Sequence, residues 1–314
     1  MRPFKFHIVA IVLLLWGTLI YWPTNGSSPP EKTVESTPNA RLQRIADDAN
    51  ATGIGWDPAA VAVAMREEAG NLPGVGESLA WQQLTEAYIR DLVRRRSDAI
   101  AWTSDRSHAP IRIVFVGVIH LDNQATQEGR NEVIRSQAAA YTAVQGLFRR
   151  AQVITIEESG AVDGPLSWDK YVDATFDAAL RYEGVSYDRA EIVPTLLRYP
   201  EMNFHVPLLH DADAPPVIFG EELVLHHLQQ RLTEGYSASR DDATAREILP
   251  IITGVIAVMR TEMTVVRALE FLRANGGDTA VITQGLSHAD DFDDIMPNYR
   301  VDFDVRIPVK PHAL

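Results

Sequence analysis

The chain predicts an α/β fold, a mainly parallel central sheet flanked by helices, and three observations carry that expectation. Residues 111–118, 152–156, 216–219 and 279–283 are short runs dominated by Val, Ile, Phe and Ala, the composition of strands buried on both faces. Between them lie longer stretches whose apolar residues recur three and four apart, as on a helix packed by one face. Strands that alternate with helices are joined by right-handed crossovers, which yields parallel strands covered on both sides.

Ahead of this domain the sequence predicts an N-terminal transmembrane helix. Arg2, Lys5 and His7 precede the apolar residues 8–22, interrupted only by Gly17 and Thr18, which is the order of an export signal. As a helix this run spans about 22 Å against roughly 30 Å of hydrocarbon core. Phe4, Phe6, Tyr21 and Trp22 lengthen it at the interfaces. No Ala-x-Ala-like cleavage site follows, so residues 1–22 read as an uncleaved signal anchor rather than a removed signal peptide. Their basic end belongs in the cytoplasm, which puts the remainder on the extracytoplasmic side, periplasmic or extracellular.

Residues 23–40 hold Pro23, Pro29, Pro30 and Pro38 among Ser, Thr, Asn and Glu and read as a flexible linker. Residues 41–106 read as a helical lead-in packed on the core, with Ala60, Val61 and Met65 on one face and helical periodicity again over 79–100. Residues 107–314 then form the α/β domain. At 314 residues, 46% hydrophobic and 23% charged, the chain can bury one sizeable core. Its net charge of −13 repels polyphosphate backbones and gives no support to a nucleic-acid partner. The absence of cysteine excludes disulfides, thiolate metal sites and a cysteine nucleophile.

Within the domain, helical periodicity over 127–150 leads to the second strand, which ends at Glu157. A helical region with Trp168, Tyr171 and Phe176 precedes the third strand, ending at Glu221 and Glu222. Helices over 222–234 and 243–274 follow, then the fourth strand and a last one, 299–307. In the last, Val301, Phe303 and Val305 alternate with charged residues as in an edge strand. Four successive strands thus deliver His120, Glu157, Glu221 and His288 at their carboxyl ends, where ligands bind in open parallel sheets.

Gly117-Val-Ile-His120 and Gly285-Leu-Ser-His288 share one pattern, a glycine three residues before a histidine. Glycine admits positive φ or a close approach, and histidine titrates near neutrality and binds metals. Glu157 is placed to orient an imidazole, act as a base or bind a cation. Arg260 lies in an apolar stretch and calls for a carboxylate or an oxyanion, whereas Arg267 reads as snorkelling. Glu221 and Glu222 open a helix, whose dipole stabilises carboxylates with or without a site role. Asp290, Asp291, Asp293 and Asp294 read as ordinary first-turn acids, their spacing missing the EF-hand pattern. His205, His210, His226 and His227 lack the glycine context and read as surface or packing residues. Ser159 has no glycine two residues before it, so a nucleophile elbow is not supported.

With these two motifs, a Glu at the end of the second strand and an Arg in the helix before the last motif, the chain resembles the TraB/PrgY/GumN/TIKI group. It is also similar to the wider superfamily that includes erythromycin esterases and ChaN-like haem-binding lipoproteins. The resemblance spans about 111–307 and is best at Met259-Arg260-Thr-Glu-Met and Val281-Ile-Thr-Gln-Gly-Leu-Ser-His288. It implies a catalytic site of His120, Glu157, Arg260 and His288, with a Glu at 221 or 222 as a further member. It also implies that His120, Glu157 and His288 would hold any divalent ion, manganese or similar. TIKI-like members are metal-dependent proteases, erythromycin-esterase-like members activate water with a histidine and a glutamate, and others regulate peptide pheromones. The expectation is therefore a membrane-anchored hydrolase acting on a peptide or a small-molecule ester. A non-catalytic haem- or peptide-binding regulator at the membrane surface is the alternative. A divalent metal, haem and no cofactor all remain open. Val118 stands where the group usually has Thr, which leaves the subgroup open.

Overall fold

The computed structural model describes residues 76–106, 110–119, 127–156, 165–183, 188–190, 193–194, 205–238 and 256–308. The expected signal anchor and linker lie outside the described residues. No helix among those described is long and apolar enough to cross a membrane.

Five strands build one sheet: β1 Ile111–Val118, β2 Val153–Ile156, β3 Val217–Phe219, β4 Thr279–Gly285 and β5 Val301–Arg306. Their order is β3-β2-β4-β1-β5 and every pairing is parallel. The α/β class and the parallel sheet are as the sequence predicts. β2 and β3 are buried along their whole length, as an unbroken apolar run requires. β5 pairs with β1 alone and closes one edge, in keeping with its alternating polarity.

The helices are α1 Leu79–Gln83, α2 Glu86–Asp105, α3 Gln127–Gln145, α4 Trp168–Glu183, α5 His205–His210, α6 Leu223–Ala238, α7 Val258–Asn275 and α8 Ala289–Ile295. The periodicity over 79–100 is split between two of them. Thr85 caps the second by accepting the Tyr88 N–H at 3.2 Å. Of the helix expected over 243–274, the described part is α7. It ends at Gly276, whose φ of 75° gives the left-handed turn that closes a helix onto the Leu272 carbonyl.

Alternation of side chains divides the sheet between two cores. Ile113, Phe115, Val153, Ile218, Ala280 and Ile282 pack under α1, α2, α6, α7 and α8. Val114, Val116, Ile154, Ile156, Phe219 and Val281 pack under α3, α4 and α5. The helices that follow β1 and β4 therefore lie on opposite faces, although the two strands are neighbours. Such a switch point opens a crevice at the carboxyl edge of a parallel sheet.

α7 is enclosed on nearly all sides, with every residue from Arg260 to Val266 buried. A charge on such a helix needs a partner. Glu262 binds Arg96 of α2 and accepts a hydrogen bond from the Tyr299 hydroxyl at 3.0 Å. Burial pushes the Glu262 carboxyl upward against the opposing pull of Arg96. Arg96 sits in the buried stripe Ile89, Leu92, Arg96, Ala99 and Thr103, so its burial follows from the helical period. Arg95, beside it, binds Glu222 and Glu270.

The exit of β3 is held against α7 by Gly220. A β-carbon there would overlap the γ-methyls of Thr155 and Thr264, both branched at Cβ and packed between sheet and helix. Gly220→Ala should therefore destabilise the fold by about 1–3 kcal/mol from overpacking, more than the 0.4–1 kcal/mol or so that losing a glycine returns through the unfolded chain. Urea denaturation of the two proteins checks this, and an equal or higher midpoint for the variant would refute the packing described.

Candidate functional site

β4 ends at Gly285, and one 3-10 turn, Leu286–His288, carries the chain into α8. That turn brings His288 back over the sheet, where it is 1% exposed. Its Nδ1 lies 2.7 Å from the Thr261 hydroxyl of α7 and 3.6 Å from the Asp291 carboxylate of α8. Thr261 also donates within reach of Asp291 Oδ2, at 3.3 Å. Asp291 is thus more than a helix-opening acid, since it reaches back one turn to the imidazole.

Gly117 shows what its motif requires. A β-carbon there would come within 3.1 Å of Leu286 Cδ1, so the glycine lets the 3-10 turn settle over β1. Positive φ, the other use expected of the two glycines, is not what they supply: Gly285 has φ −52°, and Gly276 alone has positive φ among the described residues. The register sets Gly117 opposite Gln284 and Val118 opposite Gly285. The two Gly-x-x-His segments therefore leave the sheet side by side, one residue out of step.

His120 and Glu157 lie outside the described residues, but the residue before each is fixed. The Ile119 N–H donates to Ser136 Oγ at 3.2 Å, and its carbonyl accepts from Gln137 Nε2 at 2.8 Å. Both partners are buried residues of α3. The Ile156 carbonyl accepts the Gly220 N–H at 2.9 Å. β4 runs between β1 and β2, so the strand leading to His288 lies between the strands that lead to His120 and Glu157.

A second cluster gathers where β3 meets α6. Arg260, 2% exposed, directs Nε at Glu221 Oε1 (2.7 Å) and Nη1 at Gln229 Oε1 (2.6 Å), and its Nη2 also bonds Glu221 Oε1. The His226 Nδ1 lies 3.1 Å from that carboxylate oxygen and 3.3 Å from Arg260 Nη2. Arg260 has the carboxylate its apolar setting calls for. Its three nitrogens reach Glu221, Gln229 and His226. Glu221 and Glu222 diverge, the first inward to Arg260 and the second to Arg95 and the Tyr88 hydroxyl.

His226 belongs to this cluster, a placement that its adjacent histidine and missing glycine did not suggest. Its i, i+3 spacing to Gln229 marks a shared helix face, yet nothing in that spacing says the face meets a buried arginine. His227 is the packing residue expected: burial, reinforced by His226, lowers its pKa to about 3, so it stays neutral near pH 7. His210 stacks near Trp168, and Asp211 accepts from the Tyr141 hydroxyl at 2.8 Å. His205, 2% exposed, stands 3.5 Å from the Thr283 hydroxyl on the other face of β4. Gln284, also buried, has neither amide atom hydrogen-bonded to a described residue. Such a group is costly unless something satisfies it, which marks the β4 exit as a place where a partner is wanted. Among the described residues no group of three or more His, Asp or Glu is arranged to hold a metal ion.

Comparison of the chain with protein-family models, curated proteins and solved structures finds no match. Function must be read from the residues.

Removing one member of a buried ion pair leaves an uncompensated charge. Arg260→Met should cost about 3–5 kcal/mol of stability, and Arg260→Met combined with Glu221→Leu should cost less than the single change. Denaturant titration of the three proteins measures both, and a single-variant loss under about 1 kcal/mol would contradict the burial of the pair.

Proposed function

We propose that the chain is a membrane-anchored hydrolase of the TraB/TIKI type that cleaves a peptide or ester bond at the exits of β1 and β4. The observation that carries this reading is the buried His288 at the switch point, one strand from the exit that leads to His120. In an open parallel sheet that is where substrates are held.

In this reading His120, oriented by Glu157, takes a proton from the attacking water, while His288 faces the same substrate from the next strand. A divalent ion held by His120, Glu157 and His288 would supply a Lewis acid and lower the pKa of its water. Arg260 holds Glu221 at the β3 exit, and in this reading its positive charge stabilises the oxyanion that forms on the ester or peptide. The test is turnover of ester and peptide panels by the 314-residue chain, with its metal content measured after purification without chelator. His120→Ala and His288→Ala should each lower turnover by about 10²–10⁴-fold, and activity that survives both together would end the proposal. A haem spectral shift or peptide binding without any turnover would instead select the non-catalytic regulator.

The same reading assigns residues 1–22 to a membrane anchor with the domain outside the cytoplasm, on the strength of the basic front and the apolar run. In isolated membranes the chain should resist alkaline extraction and be cut by protease added from the extracytoplasmic side. Release by alkali would rule the anchor out.

A further inference from the structure

We infer that Thr261 and Asp291 hold His288 as its Nδ1–H tautomer, which puts the lone pair of the ring on Nε2. The functional use of that lone pair rests on the hydrolase reading. The tautomer itself rests on geometry.

Thr261 Oγ1 has three neighbours: the Ala257 carbonyl at 3.0 Å, Asp291 Oδ2 at 3.3 Å and His288 Nδ1 at 2.7 Å. A hydroxyl offers one hydrogen and two lone pairs. The carbonyl and the carboxylate can only accept, so both compete for the single hydrogen, and of the three neighbours only an Nδ1–H can donate to the oxygen. A ring that donates from Nδ1 lets Thr261 pass its own hydrogen to Ala257 or Asp291. The reverse assignment spends the hydroxyl hydrogen on Nδ1 and turns the imidazole lone pair toward a carboxylate oxygen 3.6 Å away. Thr261 is fully buried and His288 is 1% exposed, so hydrogen bonds and repulsions here act in a low dielectric and weigh more than at the surface.

The consequence is that α7 and α8 decide which nitrogen of His288 reacts. A histidine anchored through one nitrogen presents the other in a fixed direction, the arrangement required of a general base or a metal ligand. Thr261 is then a positioning residue, acting through His288 rather than on substrate. Valine would fill the same space, so shape alone does not call for a hydroxyl at this position.

The tautomer can be read directly. The 314-residue chain, with its nine histidines labelled with 15N, is studied by two-bond 1H–15N correlation at a pH that keeps the imidazoles neutral, and the His288 signals are identified by their loss in His288→Gln. The expected pattern is a pyrrole-like Nδ1 and a pyridine-like Nε2. In Thr261→Val the two shifts should move toward each other as the tautomers mix, and Thr261→Ser should restore the original pattern. A pyridine-like Nδ1 in the starting chain would overturn the inference, as would a Thr261→Val spectrum identical to it. Should Thr261→Val fail to fold, Asp291→Asn probes the same network from the partly exposed side. No substrate is present in this measurement, so a reversed tautomer in an active hydrolase defeats this inference alone, and the expected tautomer in a chain without hydrolysis defeats the hydrolase reading alone.

Discussion

Arg260 and Glu221 form a buried ion pair between the first turn of α7 and the exit of β3, and the layout of the polar edge follows from it. Two charges removed from water repay their desolvation only with good geometry and further hydrogen bonds. Gln229 and His226 supply those from α6. Three elements are thereby locked in one rotational setting. Thr261, the next residue along α7, is turned by one helical step from Arg260, and that step aims its hydroxyl at His288 on the 3-10 turn after β4. A pair of this kind adds little net stability over a well-packed apolar substitute, so we read its use here as geometric.

The same helix carries a second buried pair, Glu262 with Arg96, on the side facing α2. Positions 260, 261, 262 and 264 are all polar and all buried, a pattern that makes sense only for a helix with partners all round it. Sheet residues lie on one side, α6 on another and α2 on a third. Each polar side chain answers a different neighbour: Arg260 the β3 exit, Thr261 the β4 exit, Glu262 the lead-in helix. Thr264 answers its own helix through the Arg260 carbonyl. What looks in sequence like a poorly amphipathic helix is a hub.

The strands were legible because burial on both faces leaves few residue types to choose from, and β5 was legible because an edge strand alternates. The order of the strands was not. β4 enters the sheet between β1 and β2 after two long crossovers, and no local pattern records where a returning strand will insert. That insertion is why Glu157 and His120, successive in the list of strand ends, belong to strands that do not pair. His288 and Arg260 were legible as polar residues at the margins of apolar runs. His226 and Asp291 were not, because each sits among like residues, His227 in one case and three further aspartates in the other. Only the fold separates their roles: His226 turns to Glu221 and Arg260 while His227 packs in the core, and Asp291 turns to His288 while Asp290, Asp293 and Asp294 are exposed.

The insertion of β4 also explains how two Gly-x-x-His segments more than 160 residues apart in sequence come to exit together. β1 leads to α3 on one face of the sheet and β4 leads to α8 on the other, the kind of switch point at which parallel sheets hold ligands. On the β1 side Gly117 yields space to Leu286, the first residue of the neighbouring turn. The glycine of one motif thus makes room for the turn that carries the other: a β-carbon at 117 would press on the Leu286 side chain at 3.1 Å. The two motifs are coupled by packing at Gly117 and Leu286, a physical link that their likeness in sequence alone does not supply.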